Sequence, residues 1–317
     1  MGSTGETRRL NSIVVIGTNP IATSITTTLS EANTLKINQI VHRRSSLTPA
    51  NQVSVHESNF TPPSLHQLLL TLQPDIIIST SNGGDFAFQR LLIDTAISAG
   101  VQRFVPAEFG QDSLNERLQE RLPPSRVRAR VVEYLRECAR LGSIEWVGVA
   151  TGVALDEGIG GGKLGFDLKW HSATIGLGPE LFAASSTAFI GRAVGAVLER
   201  WEEVRNQYLY CAGLRTTADE VLASLVRITG RKWEAGRTEV EDMVREGESR
   251  IARGFPDAGM FLMERSVLYD GALGAVRPFI EEDAKGLLGL DGEELEGAVG
   301  AAVHRYKHYG KEDCGCS

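Results

Sequence analysis

Residues 12–16, SIVVI, lead into Gly17-Thr18-Asn19-Pro20-Ile21-Ala22, and a polar, helical stretch follows. A glycine turn between a buried strand and a helix suits a diphosphate. The turn lets the backbone approach the anion, and the helix N-terminus aims unpaired N–H groups and the positive end of its dipole at it. Read as G-x-G-x-x-G/A, the turn keeps Gly17 and Ala22 and has Asn19 in place of the middle glycine. Asn tolerates left-handed backbone better than other non-glycine residues and is a good helix N-cap, and Pro20 suits the first helical position. Pro20 supplies no N–H, however, and Asn19 adds a side chain where the diphosphate must approach, so Asn19→Gly should tighten binding. The turn predicts a dinucleotide held less tightly than by a full glycine motif, or a Rossmann-like turn packed without one. The second apolar run ends in His42-Arg43-Arg44-Ser45-Ser46. A carboxylate there would bind the ribose 2′-hydroxyl of NAD, whereas Arg43 and Arg44 suit the 2′-phosphate of NADP(H). The plainer reading of two arginines is a solvated basic turn.

Other side chains with chemical potential are scattered. Glu108 and Asp156 stand at strand ends and are candidate acids or bases, with loop-holding as the competing role. Phe166, Trp170 and Phe182 could line an aromatic pocket, although core packing is the ordinary fate of such residues. His42 and His171 have no partner at catalytic spacing. The six histidines show no metal-ligand spacing, and the C-x-C of Cys314 and Cys316 is not by itself a zinc site, so no metal is expected.

The elements that must position these groups are legible in the first half. Apolar runs at 12–16, 37–42, 75–80, 103–105 and 144–150 read as strands. Stretches after Gly17 and at 64–73, 86–99 and 125–141 read as helices. Continuous apolar strands between amphipathic helices predict a parallel sheet covered on both faces. The fold class is therefore α/β, a doubly wound parallel Rossmann-type sheet with a smaller α+β substrate lobe. Ligands of such sheets bind at the carboxyl ends of the strands. The segments 17–23, 42–46, 79–84, 106–110 and 151–156 thus mark the expected site. They place Gly17, Thr18, Asn19, Pro20, Ile21, Arg43, Arg44, Ser81, Asn82, Gly83, Ala107, Glu108, Phe109 and Gly152 at the cofactor. The second half is less regular: a glycine-rich loop at 157–167, a helix at 186–200, a strand at 207–212, helices at 216–229 and 238–254, and a mostly helical stretch at 277–309. The dinucleotide domain is expected over 10–155, with 183–213 returning to it. Residues 156–182 and 214–317 form the substrate lobe.

Composition narrows the class of function. The chain has 317 residues, 42% hydrophobic and 23% charged, which fits a globular protein that builds its core without staples. The net charge of −7 argues against a nucleic-acid backbone as main partner. Four cysteines in a chain of this length do not make a disulfide framework, which favours a reducing compartment, the cytoplasm. No apolar run approaches the roughly 20 residues of a membrane span, and MGSTGETRRL is too polar for a signal peptide. The C-terminal Cys314-Gly315-Cys316-Ser317 has only the outline of a prenylation box.

Val101-Gln102-Arg103-Phe104-Val105-Pro106-Ala107-Glu108-Phe109-Gly110 resembles the KRFxPSEFG segment of the NmrA-like and isoflavone-reductase-like proteins, an atypical branch of the short-chain dehydrogenases. Ile78-Ser79-Thr80 with Gly83-Gly84, Gln89 and Leu92-Ile93-Asp94-Thr95-Ala96 agree in order. So do Thr151-Gly152 with Leu155-Asp156, Gly165-Phe166-Asp167 and Ile190-Gly191-Arg192-Ala193-Val194, which resemble the fungal secondary-metabolism members. The resemblance spans about residues 10–235. It implies an NADP(H) fold and a pocket between lobes for a small aromatic or polycyclic natural product, which Phe109, Val153, Asp156, Phe166 and Trp170 would line. The family's reductases use a lysine on the helix after the EFG segment as general acid/base. Glu133-Tyr134-Leu135 aligns that position with Arg128, and no lysine occurs between Lys36 and Lys163. Arginine stays protonated and is a poor proton shuttle, but it can hold an enolate, carbonyl or carboxylate. The alternative for Arg128 is a solvated helix face shared with Arg126 and Arg130. The resemblance implies an NADP(H)-dependent reductase of specialised metabolism, with Arg128 polarising a conjugated or imine acceptor. The degenerate turn and missing lysine keep a redox-neutral isomerase or cyclase open, and NmrA-like members add a third reading, a non-catalytic dinucleotide sensor. The partners expected are a small-molecule substrate and, in a homodimer, a second copy of the chain, with no nucleic acid and no membrane.

Overall fold

Ile13 to Ile16 and Ile76 to Ile78 are all inaccessible to solvent. Strands apolar on both faces must lie inside a sheet covered from both sides, and that is how they are used. The computed structural model describes residues 10–31, 34–42 and 52–308. The first half runs β1 (Ser12–Ile16), α1 (Pro20–Glu31), β2 (Lys36–Val41), β3 (Val53–Glu57), α2 (Pro62–Leu72), β4 (Ile76–Ser79), α3 (Phe86–Ser98), β5 (Arg103–Val105), α4 (Glu116–Arg121), α5 (Pro123–Arg140) and β6 (Glu145–Ala150). The chain continues through β7 (Val153–Ala154), α6 (Leu155–Gly160), β8 (Phe166–Asp167), β9 (Ser172–Gly176) and β10 (Phe182–Ser185). Then α7 (Thr187–Glu199) and α8 (Trp201–Val204) lead to β11 (Gln207–Tyr210). The remainder comprises β12 (Leu214–Thr216), α9 (Ala218–Thr229), β13 (Glu234–Thr238), α10 (Val240–Ala252) and α11 (Pro256–Leu268), then α12 (Pro278–Glu281), α13 (Lys285–Leu288) and α14 (Leu295–His308).

Among the described residues, seven parallel strands form the main sheet in the order β11-β6-β5-β4-β1-β2-β3. The order reverses between β1 and β4, which puts a ligand crevice at their carboxyl ends. α1, α7 and α8 cover one face through Ile25, Leu29, Phe189, Val194 and Trp201. α2, α3 and α5 cover the other through Leu65, Leu69, Leu92, Val132 and Leu135. This is the doubly wound Rossmann-type α/β fold. Two three-stranded sheets, β12-β10-β7 and β13-β9-β8, make up the second lobe, whose core joins Leu155, Phe166, Ile175, Val221, Leu225 and Val299. The segment 183–213 serves both parts: α7 lies on the main sheet and β11 pairs with β6, while β10 pairs with β7 and β12. No described helix is long and apolar enough to cross a membrane.

Two local readings differ from the structure. β3 is an edge strand with little burial, so Val53-Ser54-Val55-His56-Glu57 lacks the continuous apolar run of its neighbours. The glycine-rich stretch 157–167 is not a plain loop, since it contains most of α6 and all of β8. Gly158 is needed inside α6 because a Cβ there would lie 2.6 Å from Leu164 Cγ. The stretch from 277 onward is mostly helical as expected, in two single-turn helices followed by α14.

Candidate active site

The turn after β1 sits against the end of β4. Gly17 has φ +135°, and a Cβ on it would come within 2.2 Å of Thr80 Oγ1 and 2.5 Å of Ser81 Oγ, so only glycine fits. Gln39 Nε2 donates to the Gly17 carbonyl at 2.7 Å. Asn19 does not use the left-handed backbone expected of it. It braces the turn instead: Oδ1 accepts the Ala22 N–H at 2.9 Å, capping α1, and Nδ2 donates to the Thr80 carbonyl at 2.6 Å. Pro20 occupies the first helical position. Among the described residues, the N–H groups of Thr18, Asn19 and Ile21 have no intramolecular partner. Three free donors beside the start of a twelve-residue helix fit a diphosphate. Arg43 and Arg44, the proposed 2′-phosphate ligands, lie outside the described residues.

The next two strand ends meet beside this turn. Gln89 is buried and holds the segment after β4, donating through Nε2 to Ser79 Oγ at 3.1 Å and to the Ser81 carbonyl at 2.7 Å. Asn82 takes the left-handed conformation there, φ +52°. Gly83 follows, where a Cβ would lie 2.4 Å from the Ala107 carbonyl oxygen and 3.1 Å from Arg128 Nε. Arg128 therefore reaches from α5 onto the junction of the two strand ends. Arg126 and Arg130 on the same helix are exposed, with Arg130 over the Phe86 ring at 4.3 Å, but Arg128 is half-buried. Its Nε is shut off from solvent and has no hydrogen-bond partner. This orphaned donor separates Arg128 from the solvated face of its helix.

The EFG segment is clamped from three sides. Glu108 is 5% exposed, and its Oε2 accepts from Ser113 Oγ at 2.7 Å and from Tyr208 OH at 2.9 Å. The Ser113 N–H donates to Tyr208 OH at 3.1 Å. Burial pushes the Glu108 carboxyl above its ordinary value, and the Arg128 charge and the two hydroxyls pull it back. Burial also pushes the Tyr208 phenol well up. The Gly110 carbonyl accepts the N–H groups of Thr151 and Gly152, both at 2.9 Å. Together these contacts hold Phe109 at φ +31°, a conformation a bulky residue adopts only under constraint. The Glu108 side chain is thus engaged in holding the loop rather than free to meet a cofactor.

The expected substrate-pocket residues part company. Phe109 and Val153 border the strand ends, Phe109 6% exposed and Val153 paired with Ala184 in β7 and β10. Gly152 has φ +70°, and a Cβ there would lie 2.3 Å from the Ala183 carbonyl oxygen. Asp156 is buried and already engaged, accepting from the Thr187 N–H at 3.0 Å, Thr187 Oγ1 at 2.7 Å and Arg305 at 2.5 Å. Phe166 is 1% exposed in the core of the second lobe, because β8 turns it inward. Trp170 is 72% exposed, on a turn whose N–H groups bind Asp167. Neither aromatic ring faces the Gly83–Arg128 junction. Phe182 is also core. A trough of about 1240 Å³ starts at Thr18 and Pro20, follows the polar face of α1 past Thr27, and ends on Asp156, Lys163 and Arg305.

No family model matches the chain. The oxidoreductase aprR of Aspergillus flavus is 33% identical over 206 residues, which cover 64% of this chain and 69% of aprR. The chain belongs to the family of this fungal oxidoreductase. The oxidoreductase poxI of Penicillium oxalicum is 27% identical over 281 residues, 87% of this chain and 88% of poxI. Among solved structures, the binary complex of Vitis vinifera leucoanthocyanidin reductase with NADPH superposes with a TM-score of 0.73 at 14% identity, covering 93% of this chain and all of that one. Isoflavone reductase gives 0.66 at 16% identity over 92% of this chain and 99% of that one. These two likenesses establish the shared fold.

In this member of the aprR family, several residues that shape the site had no sequence signal. Ser113, five residues from Glu108, stands in no motif, and Tyr208 is 100 residues away, whereas Gln89 is among the residues that carry the family resemblance although its bracing role is not. Lys163 belongs to the second lobe and borders the trough that starts at Thr18. Only the fold brings them together.

Proposed function

We propose that the protein is an NADP(H)-dependent oxidoreductase that reduces a small aromatic or polycyclic natural product in specialised metabolism. The half-buried guanidinium of Arg128, set on Gly83 and Ala107 with an unpaired Nε, is the observation that carries this reading. A bound dinucleotide would supply or accept a hydride at the strand ends. The N–H groups of Thr18, Asn19 and Ile21 would hold its diphosphate, and Arg43 and Arg44 its 2′-phosphate. Arg128 would anchor the oxygen or nitrogen on which charge develops, acting as a fixed cation because its own proton does not leave at working pH. Kinship with oxidoreductases and a fold shared with NADPH-complexed reductases support the same reading.

A redox-neutral isomerase or cyclase is the second reading. It is favoured by the turn itself: Pro20 has no N–H and Asn19 takes that of Ala22, which removes two of the donors a helix start normally offers. Calorimetry separates the two. NADPH should bind, and about ten- to hundredfold more tightly than NADH, the worth of a charge-assisted contact of roughly 1.5–3 kcal/mol. Arg43→Ala should erase the difference. Absence of binding by either dinucleotide would sink the oxidoreductase and leave the redox-neutral reading.

A further inference from the structure

The strand ends on the other side of the glycine turn carry an aromatic group that the site described above leaves unused. Backbone contacts fix where it lies. The Gly17 N–H donates to the Ile40 carbonyl at 3.2 Å, and the Ser58 N–H donates to the Val41 carbonyl at 2.9 Å. The turn after β1 and the loop after β3 therefore meet on consecutive residues of β2, and His42 comes next. Ser58 is buried, and its Oγ accepts the Phe60 N–H at 3.1 Å and lies 3.3 Å from Ser64 Oγ. Asn59 Oδ1 accepts the Thr61 N–H at 3.0 Å. Between these two contacts Phe60 is held at φ +54°, a left-handed conformation that a bulky residue rarely adopts. Its ring lies nearly parallel to the His42 imidazole, with 21° between the planes and 6.3 Å between centroids. On its other flank it meets Phe88 edge to face, at 5.4 Å and 66°. Phe88 is fixed in turn, because Asp85 caps α3 by accepting its N–H at 3.0 Å. Phe60 is half-buried and His42 exposed, so the pair rests on the core of Ile40 and Leu65 with ring surface left open.

We propose that Phe60 and His42 form the platform on which the adenine ring of the dinucleotide stacks, with Phe88 as the buttress of Phe60. The proposal rests on the reading above in needing a bound dinucleotide. With the diphosphate on the turn after β1, one half of the ligand extends over the ends of β2 and β3, because the sheet runs β4-β1-β2-β3. Arg43 and Arg44, assigned above to the 2′-phosphate, follow His42 directly, which puts the adenosine half on this side. A purine offers a flat π-face, and an aromatic side chain binds that face without a matched set of hydrogen bonds. The strained backbone of Phe60 is then the cost of presenting its ring at the strand ends.

The probe is 2′,5′-ADP, which keeps the adenine and the 2′-phosphate and lacks the nicotinamide half. By calorimetry, Phe60→Ala should weaken 2′,5′-ADP and NADPH alike, by about ten- to hundredfold, the worth of one stacked base, and Phe60→Tyr should stay within about threefold of wild type. Reduced nicotinamide mononucleotide, the other half of the cofactor, should bind Phe60→Ala and wild type within about twofold of each other, which shows that the rest of the site is intact. A second measurement leaves the ring in place. In protein carrying carbon-13 in its phenylalanine rings, the Phe60 signals, assigned by their loss in Phe60→Tyr, should move upfield when 2′,5′-ADP is added, because a stacked purine shields them. Phe60 signals unmoved by bound 2′,5′-ADP, or undiminished 2′,5′-ADP affinity in Phe60→Ala, overturn the platform and leave the oxidoreductase reading standing. A wild-type protein that binds 2′,5′-ADP with these signatures but does not bind NADPH keeps the platform and loses the oxidoreductase. If it binds neither, both fall.

Discussion

On the dinucleotide side of the cleft, each contributing segment begins where a buried parallel strand ends. The opposing wall of the trough is assembled from α6, the glycine segment after it and α14. On the first side position is set mainly by backbone: Gly17 against Thr80, Gly83 against Ala107, and the Gly110 carbonyl on Thr151 and Gly152. On the second it is set by side chains that reach across the chain, such as Arg265 on two carbonyls and Arg305 on Asp156. A backbone-built wall keeps its shape when side chains change. A wall built from charged side chains can change its chemistry by one substitution, so substrate and reaction should vary there while the fold stays constant.

The contrast is sharpest at Arg128, the side chain set on the junction of the β4 and β5 ends. Arg128→Ala should lower turnover about 10²–10³-fold, the cost of one preorganised donor, and Arg128→Lys should fall between wild type and alanine because the charge stays but the fork is lost. Steady-state kinetics on the natural substrate decides this, and full activity in Arg128→Ala would return the residue to the solvated face. Glu108→Ala should act on stability: Ser113 Oγ and Tyr208 OH still reach each other at 3.2 Å, so one buried hydroxyl donor loses its acceptor at about 1–3 kcal/mol, read as a lower Tm. The Glu108→Gln variant adds a pH test. Because burial raises the folded-state carboxyl, its contribution is present below the unfolded glutamate value and is lost as pH rises through the folded one. Wild type should therefore lose ground to Glu108→Gln as pH climbs from about 4.5.

Asn19 gives a smaller effect of reversed sign from the sequence expectation. Asn19→Gly removes the cap on Ala22 and the bond to Thr80, so stability should fall by about 1 kcal/mol and dinucleotide affinity should not improve. Tighter binding in this variant would mean that the side chain obstructs more than it braces. Trp170→Ala should change least, within about 0.5 kcal/mol in a melt and with no loss of turnover, because the ring faces solvent.

What the residues reveal in advance follows the same division. Runs such as Ile76-Ile77-Ile78 can be read as buried strands because burial on both faces demands apolar side chains without a break. β3 escapes because an edge strand has no such demand. Phe166 and Trp170 are both aromatic, and residue type alone does not say that one turns into the core and the other out on the next turn. Arg128 is legible through family resemblance, whereas Arg305 and Asp156, 149 residues apart, have no mutual spacing to read. Charges paired across a hundred residues leave no local period, so only the folded chain exposes them.

The contact of Arg305 with Asp156 spans 149 residues. A carboxylate as buried as Asp156 is costly until its cation arrives. During synthesis on the ribosome, the Rossmann strands up to β6 emerge first, yet the bend that follows them stays uncompensated until α14 has been made. Translation should therefore yield a waiting intermediate with an assembled sheet and an unsettled exit, and chaperones would meet the molecule at that bend.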